Sequence, residues 1–221
     1  MHSAASVSIH SLKRIGTLIV PHRPFQEKRW YWLPTLSSYA VLILASASPR
    51  RHELLLAAGI PHRVRPAHIP ETALPGESPL DFVRRLSNEK AHAVPCDAED
   101  VILAADTIVC VGDLVLGKPS DREDASRMLR LLSGREHVVH TGICLRKADR
   151  QIQDVSTTRV SFAAMSDTEI EDYVRTGEPD DKAGAYAIQG LASKFVTSVK
   201  GCYHNVVGLP VALVYRLLKD L

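Results

Sequence analysis

The run Val41-Leu42-Ile43-Leu44-Ala45 is wholly apolar and too short for a helix, and it leads through small residues into Ser48-Pro49. Such a run reads as a buried strand. Ser48 suits a helix N-cap, and Pro49 suits the first helical position. Leu54-Leu55-Leu56-Ala57-Ala58 then runs to Gly59, a natural residue just past a helix end. A buried strand feeding a helix through a tight turn commits the chain to packing helices on a sheet. The remaining sequence continues the theme. His62–Arg65 reads as a strand, and Ser78-Pro79 opens a helix to about Val94 with Phe82, Val83 and Leu86 on its apolar side. Val101–Ala105 is a second buried strand running into Asp106-Thr107. Ile108–Val111 and Leu114–Leu116 flank Gly112-Asp113, a two-residue hairpin turn. Asp121–Leu132 is a helix closed by Ser133-Gly134, and two long strands follow near 136–147 and 151–163. Ser166-Asp167-Thr168-Glu169 is a capping box for a helix to about Arg175, ended by Gly177. A Gly- and Ala-rich loop covers 181–190, Phe195–Val199 is a strand, and Pro210–Leu221 is a terminal helix with Pro210 in first position. Helices alternate with strands, and the hairpins make the sheet mixed, so the fold class is α/β.

A length of 221 residues suits one large domain or two lobes sharing a core, and 45% hydrophobic with 24% charged residues is ordinary for a globular chain. Charge is uneven. Residues 1–40 carry Lys13, Arg14, Arg23, Lys28 and Arg29 against Glu27 alone, leaving 22 basic and 24 acidic residues in 41–221. The main domain is near neutral, which argues against nucleic acid as a partner. Cys96, Cys110, Cys144 and Cys202 are widely spaced, as in a reduced, cytoplasmic protein. No apolar run approaches the roughly 20 residues of a membrane span. Residues 1–40 form a separate N-terminal extension. Their basic, serine-containing composition fits an organellar transit peptide, which would make the location organellar. A misassigned start, with the natural one near Val41, and a loosely ordered extension are the other readings.

Four stretches carry chemistry. In Ala45-Ser46-Ala47-Ser48-Pro49-Arg50-Arg51, two arginines occupy the first turn of a helix, where unpaired N–H groups already make the field positive. That placement costs stability unless an anion docks, so it reads as an anion site; solvated or acid-paired arginines are the alternative. In Ala104-Ala105-Asp106-Thr107, a carboxylate follows an apolar strand and is followed by more strand, so it is no helix cap. At a strand end it can hold a divalent ion or take a proton from water. Gly117-Lys118-Pro119 fixes a lysine between a flexible and a rigid residue, where it could meet a phosphate; taken alone the motif reads more readily as a surface lysine. In Asp181-Lys182-Ala183-Gly184-Ala185-Tyr186-Ala187-Ile188-Gln189-Gly190, small residues allow close approach of a ligand, and Gln189 offers donor and acceptor to a base edge such as uracil or thymine. Taken alone, Lys90 and Glu71 carry weaker signals. The sequence has no P-loop, no dinucleotide glycine fingerprint, no H-E-x-x-H and no nucleophile elbow.

Together with Leu132-Ser133-Gly134 and Asn205-Val206-Val207-Gly208-Leu209-Pro210, these stretches resemble the Maf family of nucleotide pyrophosphatases over about 41–221. The resemblance implies an elongated, two-lobed α/β fold with a central cleft, usually a homodimer. It implies cleavage of a nucleoside triphosphate to monophosphate and diphosphate with a divalent cation, Mg²⁺ or Mn²⁺. By position in the motifs, Asp106 matches the proton acceptor and a metal contact, and Glu71 the metal-site glutamate. The acid the family often has just before that glutamate is Pro70 here. Ser48, Arg51, Lys90 and Lys118 match phosphate-contacting positions, and Arg50, Thr107 and Gln189 positions linked to substrate choice. Gln189 resembles the branch acting on dTTP and UTP, which serves house-cleaning of nucleotide pools. The alternatives are a pyrophosphatase for modified or 7-methyl-GTP nucleotides and, because family members are linked to arrest of cell division, a septum-formation regulator acting by binding.

Overall fold

The computed structural model describes residues 41–95 and 97–221; the extension 1–40 lies outside the described residues. In chain order the elements are β1 (Leu42–Leu44), α1 (Pro49–Ala57), β2 (Arg63–Val64), α2 (Pro79–Ala93), β3 (Val101–Val111), β4 (Leu114–Leu116), α3 (Arg122–Leu132), β5 (Glu136–Lys147), β6 (Arg150–Phe162), α4 (Asp167–Arg175), β7 (Val196–Lys200), α5 (Tyr203–Val207) and α6 (Val211–Asp220). The sheet order is β2-β1-β3-β5-β6-β7, with β4 also paired to β3. β1 pairs parallel with β2 and β3, while β3 to β7 run antiparallel. The expected mixed α/β sheet is the observed one.

One expectation about β3 needs correcting. Asp106 was placed at a strand end, but it sits in the middle of a single strand of 11 residues. What ends there is pairing, not the strand. β5 pairs with β3 from Ile102 to Cys110 along one edge. On the other edge β1 pairs with Val101–Leu103 and β4 with Val109–Val111. Between them, residues 104–108 have no strand neighbour on that edge among the described residues, and the sheet edge opens there.

Strand alternation divides the core. Val101, Leu103 and Ala105 join Ile143 and Leu145 in a cluster closed by Leu55 of α1 and by Val214, Leu217 and Leu218 of α6. Val109 and Val139, on the same face, belong to a second cluster with Ala125, Met128, Leu129 and Leu132 of α3 and Ile170, Tyr173 and Val174 of α4. These two clusters are the two lobes. Thr107 and Thr141, cross-strand partners, fall at the seam. On the opposite face Ile102, Ala104, Ile108 and Cys110 pack under α2. Gly142, paired with Asp106, lets α2 lie directly on the strand: a Cβ there would stand 2.2 Å from the Val83 carbonyl oxygen.

Local signals decide the element ends. Ser166 and Glu169 form a reciprocal capping box at α4, and Asp121 caps α3 by accepting from the Asp124 amide. Pro49 starts α1, and Pro210 caps α6 rather than occupying its first turn. The 181–190 stretch is not an open loop. Its backbone turns through short 3-10 segments at Glu178–Asp181 and Ala183–Ala185, and another follows at Leu191–Phe195. α5 was not expected from the sequence.

Candidate active site

The open edge of β3 forms the floor of a pocket walled by the start of α1, by α2, by the segment after α4, and by the end of α5. All nine residues singled out from the sequence line it. Its lining includes five basic side chains, from Arg50, Arg51, Lys90, Lys118 and Lys182, against three acids, Glu71, Asp106 and Asp181. Apolar side chains line it too, among them Val109, Val139, Ala183, Ile188 and Val206.

The acidic centre is organised by a lysine. Phe82, Val83, Leu86, Ser87, Lys90 and Ala91 make the buried stripe of α2, so Lys90 points inward. Its Nζ lies 2.6 Å from Asp106 Oδ1 and 2.6 Å from Glu71 Oε1. The Asp106 side chain is 7% exposed and that of Glu71 52% exposed. Asp106 is thus a buried carboxylate with its counter-ion, the Lys90 ammonium, in direct contact. Burial would raise the Glu71 carboxyl, but the Lys90 hydrogen bond, with the charges of Lys90, Lys118 and Arg51, holds it below its usual range.

α1 presents an N-terminus without its usual satisfaction. Ser48 stands at the N-cap, but its hydroxyl makes no capping bond, and the first turn contains no acid. The orphan amides therefore face the pocket beside Arg50 and Arg51. Arg51 differs from the simple phosphate grip expected of it. It is buried, and three of its five N–H groups serve protein acceptors: Nε to Gly208 O at 2.8 Å, Nη1 to Ser46 Oγ at 2.9 Å and Nη2 to Thr107 Oγ1 at 3.1 Å. Burial lowers its affinity for the proton, opposed by the charges of Asp106 and Glu71. Thr107 is likewise turned inward, with its hydroxyl 2.9 Å from Thr141 Oγ1. It braces Arg51 at the seam between the lobes. Arg50 reaches across the cleft to Asp181, Nη1 to Oδ2 at 2.9 Å. Acid pairing, the alternative weighed for these arginines, holds for Arg50.

Lys118 and Gln189 are exposed at the rim. Sequence reasoning left Asp181 without a role, although it stands inside a quoted motif, and passed over Tyr173 and Glu178. Partners separated by 131 positions, as Arg50 and Asp181 are, leave no local pattern. Among the described residues no three of His, Cys, Asp or Glu gather as a metal cluster, and no helix is long and apolar enough to cross a membrane.

The sequence profile of the family described as Maf-like protein matches residues 41–221. A Koribacter versatilis protein named dTTP/UTP pyrophosphatase is 53% identical over 179 residues, covering 80% of this chain and 93% of its own. One of the same name from Anaeromyxobacter dehalogenans is 54% identical over 182 residues, covering 80% and 92%. A third, from Syntrophomonas wolfei, is 49% identical over 178 residues, covering 79% and 94%. By its profile match and by these relatives, this chain belongs to the Maf family.

Proposed function

We propose that the chain is a nucleoside triphosphate pyrophosphatase that hydrolyses dTTP and UTP to the monophosphate and diphosphate. One observation carries the reading: a buried carboxylate, Asp106, lines one pocket together with five basic side chains and several small apolar ones. The basic side chains suit a triphosphate and the apolar ones a nucleoside. The names of the relatives support the same substrates.

Asp106 accepts the proton of the attacking water. Its Oδ1 is engaged by Lys90, so Oδ2 is the oxygen for that proton. The α1 amides, Ser48, Arg51, Lys90 and Lys118 bind the phosphates and stabilise charge on the departing diphosphate. Glu71 and Asp106 meeting at one ammonium also suit a hard divalent cation, Mg²⁺ or Mn²⁺, which takes one or two carboxylates and completes its shell with water and substrate phosphates. Such an ion would neutralise phosphate charge and acidify a bound water. Gln189 and Arg50 read the base, and Thr107 acts on that choice through Arg51. The same reading makes the protein a homodimer in the cytoplasm, or in an organelle if residues 1–40 are a transit peptide.

Two substitutions test the assignment. Asp106→Asn should remove most dTTP hydrolysis while the fold persists, and near-full activity in the folded variant would refute the mechanism. Gln189→Glu should lose dTTP and UTP turnover, and an unchanged pyrimidine preference would place base reading elsewhere.

A further inference from the structure

The two proposed base readers reach the pocket from opposite sides, Arg50 from α1 and Gln189 from the segment after α4. Both are tied to one short 3-10 turn, Glu178–Asp181.

Gln189 lies in a turn closed by the Gly190 amide donating to Ala187 O at 3.0 Å. That turn is stapled on both flanks. Before it, the Ala187 amide donates to Tyr173 Oη at 3.1 Å. After it, the Leu191 amide donates to Glu178 Oε2 at 3.0 Å and the Ala192 amide to Oε1 at 3.4 Å. The buried Tyr173 hydroxyl donates in turn to Glu178 Oε1 at 2.7 Å, joining the two staples. A carboxylate accepting amides makes charge-assisted bonds, stronger than neutral ones. Room for it exists only because residue 190 is glycine: a Cβ there would stand 2.2 Å from Glu178 Oε2.

Asp181, at the other end of the same turn, holds Arg50 at two points. Oδ2 accepts from Nη1 at 2.9 Å and the backbone oxygen from Nη2 at 3.3 Å. Lys182 links the two acids, donating to Asp181 Oδ1 at 2.5 Å and to Glu178 O at 2.8 Å. Burial pushes the Asp181 carboxyl up, but its bonds from Lys182 and Arg50 prevail and bring it down to about 2, so it stays charged in any ordinary assay.

We infer that Glu178 and Asp181 are positioning residues, which fix Gln189 and Arg50 relative to each other and so set selectivity for the base. This rests on the base-reading role proposed above for Arg50 and Gln189. The Arg50–Asp181 pair is exposed on the acid's side, at 60%, and an exposed pair adds little to stability. A purely structural role would therefore show little on its removal, whereas a positioning role shows in selectivity.

The test compares kcat/KM for dTTP and dCTP in wild type, Asp181→Asn, Glu178→Gln, Tyr173→Phe, Arg50→Ala and the Arg50→Ala/Asp181→Asn double variant, each with a thermal melt. Asp181→Asn should lower the dTTP:dCTP ratio by about tenfold with a nearly unchanged melt. In the Arg50→Ala background it should change the ratio no further, since residues acting as a unit are not additive. Glu178→Gln and Tyr173→Phe should lower the ratio chiefly through KM, and Tyr173→Phe carries this arm if Glu178→Gln does not fold. If Arg50→Ala lowers the ratio while Asp181→Asn and Tyr173→Phe leave it at the wild-type value, the positioning role is overturned and base reading stands. If wild type shows no preference, both fall.

Discussion

Lys90 is a buried cation held between two acids. Its side chain is 9% exposed, and its ammonium touches two carboxylates, one of them buried. Removing one member of a buried pair leaves the other charged and without its counter-ion. Lys90→Met, which keeps the length of the side chain, should cost about 3 kcal/mol in chemical denaturation, and adding Asp106→Asn should restore much of it. If the double variant is no more stable than Lys90→Met, the pair is not what the lysine supports. Asn88-Glu89-Lys90-Ala91 said little by itself, because the partner acids lie 16 and 19 positions away. A signal was present, though: Val83, Leu86 and Lys90 share one helical face. Asp106 was legible because a carboxylate inside an apolar run is conspicuous. Tyr173 and Glu178 were not, because apart from each other their partners are backbone amides, which no side-chain pattern marks.

At the level of elements, the site depends on how closely α2 lies on β5. The Val83 carbonyl occupies the space a side chain at residue 142 would need, and this proximity brings Lys90 over Asp106. Gly142→Ala should lift α2, cost about 2 kcal/mol, and lower dTTP turnover by tenfold or more, since small displacements of catalytic groups carry large rate penalties. A destabilised variant with wild-type turnover would show that helix placement does not govern the chemistry. Most elements could be read from the sequence because caps and turn residues act locally. The Ser166–Glu169 box, the Gly112-Asp113 hairpin and Asp121 all mark their boundaries. β3 was read in pieces because its polar interruption, Asp106-Thr107, looks like an end. Its continuity comes from pairing with β5, a non-local property. α5 went unseen because five residues are too few for a helical period.

For the molecule as a whole, two hydrophobic clusters share one sheet, and the pocket occupies their seam. The domain is near neutral, with 22 basic and 24 acidic residues, yet the pocket gathers five basic side chains against three acids. Positive charge concentrated in a cleft suits a compact polyanion better than a nucleic-acid surface. The cleft was implied by the family resemblance alone, while the tie between lobes through Arg50 and Asp181 required the fold. A pyrophosphatase is defined by which bond it cuts and in which nucleotide. The direct measurement incubates the purified protein with a nucleoside triphosphate panel and Mg²⁺ or Mn²⁺ and identifies the products. The proposed reaction yields monophosphate and diphosphate in equal amounts, with dTTP and UTP consumed at least about tenfold faster than purine triphosphates. Nucleoside diphosphate with orthophosphate, or equal rates across the panel, would contradict it.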